Sequence, residues 1–357
     1  PSADLIRPFT RETCNGIDVL RLRAVRTKDI SHLRRVAGEM LMPFVMLFNF
    51  RRSPLARERW DGVIWYSPSI FFGPFVSWLK KWSACPSYLI LRDIFPEWAV
   101  DMGIMRRGLA YHILKQVERY QYAVADTIGV QTAGNLAYFA GTSSVGQSRV
   151  EVLQNWLADV PDLGCSIAID RSPLAGRCIF VYAGNMGLAQ GMDLLLCLAE
   201  RLRCRQDIGF LFVGRGSEVQ RLRDKALSNK LDNVMFHDEI PPEEIAGLYR
   251  QCHVGLVSLD PRHRTHNVPG KFLSYMQAGL PVLASVNAGN DLFGLIEGER
   301  VGCAINDHSV DSLERMALEL IVMLEARIEL GERCRHLARS MFAPSEIVRQ
   351  ITVALGE

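Results

Sequence analysis

The same rhythm runs twice along this chain, separated by a stretch that has none of it. DGVIWYSP (Asp61–Pro68), PSYLILRDIF (Pro86–Phe95), DTIGVQT (Asp126–Thr132) and VEVLQNW (Val150–Trp156) read as strands. Between them GLAYHILKQVERYQYAVA (Gly108–Ala125) has helical periodicity. From Leu157 to Arg177 the pattern fades into Asp, Pro, Gly and Ser, which reads as a linker. CIFVYAG (Cys178–Gly184) restarts the rhythm, followed by IGFLFVGRGSE (Ile208–Glu218), NVMFHDEI (Asn233–Ile240), HVGLVSL and PVLASV, with helical segments between and an Arg/Glu/Leu-rich helical end. Short apolar runs between helices belong to parallel sheets covered on both faces. The prediction is an α/β chain of two doubly wound, Rossmann-like domains facing one another. Residues 1–157 form the first, joined by the C-terminal helix 343–357, and residues 177–342 the second. A length of 357 residues agrees with two domains.

The chain begins with Pro1, shows no signal peptide, and has its first strand-like run at Val19–Leu22. The expectation is a first domain that lacks its first strand. The nine cysteines are scattered with no CxxC pair, the usage of reduced thiols in a cytoplasmic protein. A net charge of +2 gives no global pull toward nucleic acid. The longest apolar stretch, Met40–Phe50, is too short to span a bilayer. It is flanked by Arg34, Arg35, Arg51, Arg52, Arg57 and Arg59, and Ile70–Trp82 again joins aromatics to lysines. Each reads either as an ordinary amphipathic helix or as an interfacial patch on anionic lipid.

Ligands of open α/β sheets bind beyond the carboxyl ends of the strands. The second half has three glycine-bearing segments there: AGNMGLAQG (Ala183–Gly191), VGRGSE (Val213–Glu218) and NVPGKFLSYMQAGLPV, in which Lys271 opens a helix. A cation is unfavourable at a helix N-terminus unless an anion sits there too. Arg215 and Lys271 could together neutralise a diphosphate. No GxGxxG follows a strand, and there is no GxxxxGK[ST], GxSxG or DxD. His263 and His266 lie three apart on an expected loop without further ligand spacing, so no metal site is assigned.

YAGNMGLAQGMDLL, FLFVGRGSE, VMFHDEIPPEEIAGLYRQCHVGLVSL and NVPGKFLSYMQAGLPVLAS, in that order, resemble the C-terminal half of family 4 GT-B glycosyltransferases. In the first half YLILRDIFPEWAVDMGIM, GVQTAGNLAYF and VLQNW look most like bacterial transferases of O-antigen and capsule assembly, nearest the WbuB-type N-acetyl-L-fucosaminyl transferases. The resemblance implies a GT-B fold and a retaining glycosyltransferase. Its donor would be a nucleotide-sugar, plausibly UDP-linked N-acetyl-L-fucosamine, with no metal or other cofactor. Its acceptor would be a polyprenyl-diphosphate-linked saccharide on the first domain. The implied location is cytoplasmic, peripheral on the anionic inner face of the cell membrane, with no nucleic-acid partner. Gly184, Asn185 and Gly187 would lie on the phosphate side, with Gly214 and Gly216 around Arg215. His266, Asn267, Pro269, Gly270, Ser274 and Tyr275 would lie near nucleotide or sugar. Arg92, Asp93 and Glu97 would lie on the acceptor side, Asp93 with a catalytic role beside Arg215 and Lys271.

The chain departs from the family's pattern. Asn185 and Gln190 stand where many relatives carry Arg and Lys, and His266 and Ser274 where many carry two glutamates. Arg92–Asp93 replaces His-Asp. Two alternatives remain at this level: an isomerase resembling GT-B UDP-N-acetylglucosamine 2-epimerases, and a non-catalytic nucleotide-sugar-binding subunit.

Overall fold

The computed structural model describes residues 7–25, 32–67, 69–140, 146, 148–262 and 267–356. By its contacts the chain divides into two units. The first holds Pro1–Val130, Leu136–Val152 and Ile351–Glu357, and the second Gln131–Asn135 and Leu153–Gln350. The second unit thus begins at Leu153, before the expected linker, and only the last turns of the C-terminal helix group with the first.

The first unit opens on a hairpin, β1 (Phe9–Cys14) and β2 (Ile17–Leu22), paired only with itself. Asn15 and Gly16 both have positive φ, the backbone a two-residue hairpin turn demands. Val19–Leu22 is therefore the second strand of a hairpin; the Asn-Gly pair just before it is the signal that marks the turn. Then come α1 (His32–Phe50), β3 (Val63–Ser67), α2 (Gly73–Ser83), β4 (Ser87–Leu91), α3 (Glu97–Asp101), α4 (Leu109–Val124), β5 (Thr127–Val130), α5 (Ala133–Ala140) and β6 (Arg149–Val152). Strands β3 to β6 form one parallel sheet in sequence order. Every side chain of β4 and β5 is buried, as expected for inner strands covered on both faces. The edge strand β3 alternates: Ile64 and Tyr66 are half exposed while Val63, Trp65 and Ser67 are buried.

The second unit carries β7 (Cys178–Ala183), α6 (Asp193–Arg201), β8 (Ile208–Val213), α7 (Val219–Ser228), β9 (Val234–His237), α8 (Ile245–Arg250), β10 (Val254–Ser258), α9 (Gly270–Ala278), β11 (Val282–Ser285), α10 (Asp291–Glu299), β12 (Gly302–Ile305), α11 (Val310–Met323), α12 (Arg327–Met341) and, up to Gln350, α13 (Pro344–Leu355). Its six parallel strands run β12-β11-β10-β7-β8-β9, so the winding reverses between β7 and β10. One face packs on α8 and α9 through Tyr249, Phe272, Tyr275 and Met276. The other packs on α6, α7 and α11 through Leu195, Leu198, Leu222, Leu313 and Leu320. The expected linker is no free connector: Ile167, Ile169 and Leu174 are buried in the core of this unit. β12, only GCAI and hidden in the helical end of the sequence, escapes the apolar-run reading because small residues carry it.

Candidate functional site in the second unit

Where an open sheet reverses its winding, the two flanking loops part and leave a crevice at the carboxyl edge. Here that point lies between β7 and β10. The parallel register continues Phe180↔Val254 and Ala183↔Val213 to a row of small residues, Gly214, Gly184, Ser258 and Ser285, across four strand ends. The loops after β7 and β8 are zipped together: Gly184 N–H donates to Val213 O at 2.9 Å and Met186 N–H to Arg215 O at 2.7 Å. Gly214 and Gly216 have φ of 143° and 148°, and a Cβ on either would collide with the carbonyl oxygen of Gly184 or Met186. Glycine is required at both for conformation and for close approach.

The helix α9 starts at this crevice. Pro269 precedes it with φ −60° and no side chain caps its first turn, so its leading N–H groups remain available to an anion. Gly270 is exposed. Lys271 bends back so that its Nζ lies 3.3 Å from the centroid of the Tyr182 ring, next to the position a Gly184 Cβ would occupy. No carboxylate pairs with Lys271 among the described residues, and burial alone pulls its amine down to about 7. Tyr182 is itself fixed by its hydroxyl, which donates to Asn185 O at 2.7 Å.

The other expected residues divide. Arg215 is largely exposed and pairs with Glu239 at 3.1 Å, so its guanidinium lies at the rim. Asn185 Nδ2 donates to Gln190 Oε1 at 3.3 Å, and the same oxygen accepts Gly187 N–H at 2.9 Å. The two neutral replacements therefore satisfy each other and take up the Gly187 N–H, in the segment expected on the phosphate side. Tyr275 is also corrected. It is fully buried, and its hydroxyl donates toward Val181 O at 3.1 Å and Leu256 O at 3.3 Å, which anchors α9 to the sheet and keeps it from a ligand. Ser274 Oγ donates to Gly270 O at 3.3 Å. Its side lines a cavity of about 680 Å³ between α8, α9 and α12, a groove that shares none of Gly184, Gly214 or Lys271. Asn267 is partly buried with Oδ1 unpartnered. His266, like His263, lies outside the described residues. Among the described residues no group of three or more His, Cys, Asp or Glu is placed to hold a metal ion.

Of the first unit's candidates, Asp93 is exposed and Arg92 is largely enclosed. Desolvation lowers the Arg92 pKa, against a hydrogen bond with Tyr66. Glu97 opens α3 and belongs to a network. Its carboxylate accepts from Tyr111 at 2.8 Å and pairs with Lys115 at 2.9 Å, and Lys115 also pairs with the fully buried Glu118 at 2.6 Å. Burial pushes Glu97 up, but Lys115 and Tyr111 outweigh it and hold the carboxyl below its usual range. Glu97 is thus tied into the scaffold rather than poised for a ligand.

Sequence reasoning missed Tyr182 and the capping role of Gln190. An aromatic two residues before the glycine that ends β7 is the available signal for the first. A Gln three residues after Gly187 is the capping-box spacing for the second.

Residues 177–322 match the family of glycosyl transferases group 1. A Pseudomonas aeruginosa protein named as the glycosyltransferase WbjE is 26% identical over 227 residues, 61% of this chain and 56% of its own length. An Escherichia coli K12 protein, named as the colanic acid biosynthesis glycosyl transferase WcaI, is 22% identical over 284 residues, 72% of this chain and 66% of its own. The chain thus spans between half and two thirds of these curated relatives. Sucrose-phosphate synthase from Thermosynechococcus elongatus superposes over 97% of this chain and 84% of its own, with a TM-score of 0.70 at 18% identity. Anabaena HepE, solved with UDP and glucose, superposes over 84% of this chain and 78% of its own, with a TM-score of 0.62 at 16% identity. Parallel sheets, the reversal between β7 and β10, and these likenesses converge: the chain has a GT-B fold, and its residues 177–322 are similar to the glycosyl transferases group 1 family.

Proposed function

We propose that this protein is a retaining glycosyltransferase that moves a sugar from a UDP-sugar to a lipid-linked saccharide. One observation carries the reading. Lys271 stands at an uncapped helix N-terminus on a winding-reversal crevice, with a tyrosine ring and, among the described residues, no carboxylate for company. A cation held there uncompensated is complementary to a diphosphate. The α9 amides and Lys271 would gain most as negative charge builds on the departing nucleotide, which is electrostatic catalysis by groups already in place. Arg215 at the rim would add a second cation, and the reaction would need no metal. HepE's structures with UDP support the nucleotide, and WcaI's name supports bacterial polysaccharide assembly, here of the O-antigen or capsule type. N-acetyl-L-fucosamine is our choice of sugar, and a polyprenyl-diphosphate-linked saccharide our choice of acceptor, with Asp93 and Arg92 among its contacts.

The acceptor's lipid motivates a peripheral seat on the inner face of the cytoplasmic membrane. No helix among the described residues is long and apolar enough to cross one. Met40, Leu41, Phe44 and Phe48 are each about half exposed on α1. Arg52 lies 3.9 Å over Phe48, Arg51 5.0 Å over Trp78 and Arg59 4.3 Å over Trp82, with the two tryptophans stacked. Aromatics rimmed by arginine suit an anionic headgroup layer.

The test of transfer follows UDP release from UDP-sugars with and without a lipid-linked saccharide. Release that requires the acceptor supports the proposal. Interconversion of UDP-sugars without acceptor would favour an isomerase, and binding without turnover a non-catalytic subunit. For the membrane, Phe44→Glu with Phe48→Glu should abolish co-sedimentation with phosphatidylglycerol vesicles. Equal sedimentation with phosphatidylcholine, insensitive to salt, would contradict an electrostatic seat.

A further inference from the structure

Arg215 stands between a carboxylate that belongs to the chain and the crevice where a diphosphate would sit. The register of β8 on β9 ends at Val213↔His237. Gly214 N–H donating to His237 O at 3.1 Å carries that pairing one step past the strands. Two residues beyond the last row, Arg215 meets Glu239. Its Nε lies 3.1 Å from Glu239 Oε2, and its Nη1 donates to Oε1 at 3.3 Å. One guanidinium thus engages both carboxylate oxygens, the forked pairing that arginine makes best. The strand register brings the two residues together, so the pair is built into the sheet.

The crevice lies on the opposite side of Arg215. β7 flanks β8 away from β9, and the Lys271 amine lies against Gly184 at the end of β7. Adjacent strands are about 4.8 Å apart, so Gly184 and Glu239 are separated by about 10 Å, with Arg215 between them. The backbone under Arg215 is pinned: Met186 N–H donates to Arg215 O at 2.7 Å and Glu218 N–H to Met186 O at 3.1 Å. The guanidinium therefore travels by rotation of its own side chain, which is largely exposed. Paired with Glu239 it presents no net charge to an arriving anion. A diphosphate gains the full cation only when the carboxylate lets go.

We propose that Glu239 is an internal counter-anion that competes with the donor's diphosphate for Arg215, so that this cation joins the site only when a diphosphate displaces the carboxylate. This rests on the nucleotide-sugar reading above and makes Glu239 a positioning residue of that site. The return of Arg215 to Glu239 then favours departure of the spent nucleotide. The test measures UDP affinity and the thermal midpoint of the full chain at about 0.15 M salt. Glu239→Gln, which keeps the size and removes the charge, should raise UDP affinity about threefold, within the range set by an exposed ion pair. Its midpoint should hold. Arg215→Met should weaken UDP binding, and adding Glu239→Gln to it should change affinity by no more than about 1.5-fold. Asp238→Asn removes the neighbouring carboxylate, which pairs with Arg223 at 2.7 Å, and should leave UDP affinity unchanged. An equal gain from Asp238→Asn, or an undiminished Glu239→Gln gain without Arg215, makes the effect one of bulk charge and overturns the proposal. Weaker UDP binding in Glu239→Gln makes the carboxylate a support that aims Arg215 at the ligand, and a lower midpoint with unchanged affinity makes it structural; either overturns it as well. In all of these cases a wild type that binds UDP leaves the nucleotide-sugar reading standing. A wild type that binds no UDP overturns both.

Discussion

Each unit of this molecule draws a lysine in from solvent, Lys115 fully and Lys271 partly, and the two are treated in opposite ways. Lys115 in the first unit sits between Glu97 and Glu118, with the Tyr138 hydroxyl against it. Its charge is matched on every side. Lys271 in the second has the Tyr182 ring and an open helix end. A buried cation with two carboxylates is complete; a partly buried cation with none among the described residues is complementary to something that arrives. The two lysines are set apart by their partners more than by their burial.

The comparison breaks most visibly at Lys115. Lys115→Met strands Glu118 without its cation, and such breaks cost about 3–5 kcal/mol. Chemical denaturation should show this loss, with UDP affinity of the folded protein unchanged; a stable variant with weakened UDP binding would reverse the two roles. Lys271→Met should do the opposite. Turnover should fall by about 10²–10³, the usual loss for one preorganised donor to a developing anion, while the melting temperature holds or rises. A variant that melts early yet turns over normally would make Lys271 scaffold.

The pH dependence sharpens the contrast. Burial brings the Lys271 amine to about 7 in the folded protein, whereas the unfolded chain keeps its proton to about 10.5. Between those values the unfolded state binds more protons, so stability from this group rises with pH across the window. Ligand affinity runs the other way, because a bound diphosphate favours the charged amine. UDP affinity should be flat below about pH 6 and fall by up to about tenfold per unit above 7. Calorimetry should show proton uptake on binding, and Lys271→Met should abolish both slopes. Parallel slopes for stability and affinity would refute the assignment. The smallest effect is expected at Gln190. Gln190→Ala removes the cap on Gly187 N–H and should cost about 1 kcal/mol, with little change in UDP affinity if the loop is held mainly by its glycine contacts.

How far the residues alone reach can be judged from the same places. The strands were visible because buried parallel strands are written as unbroken apolar runs, and SYLIL or CIFVYA can hardly be anything else. Lys271 was visible because a cation at a helix start is a local contradiction. The turn at Asn15–Gly16 carries its own Asn-Gly signal, but the strand before it, FTRETC, is mostly polar and offers no apolar run to pair with the one after. Tyr275 looked like a site residue by its nearness to Lys271. Only packing shows that its hydroxyl is taken up by β7 and β10 from across the sheet.

Gly214 and Gly216 press so closely on the neighbouring loop that neither turn can form alone. The floor of the crevice is therefore assembled by two βα units together. Association then requires no ordering of that floor, so the entropy lost on nucleotide binding should fall mainly on the ligand. The amides of Gly184 and Met186 should exchange hydrogen with solvent at nearly the same slow rate whether or not the site is filled.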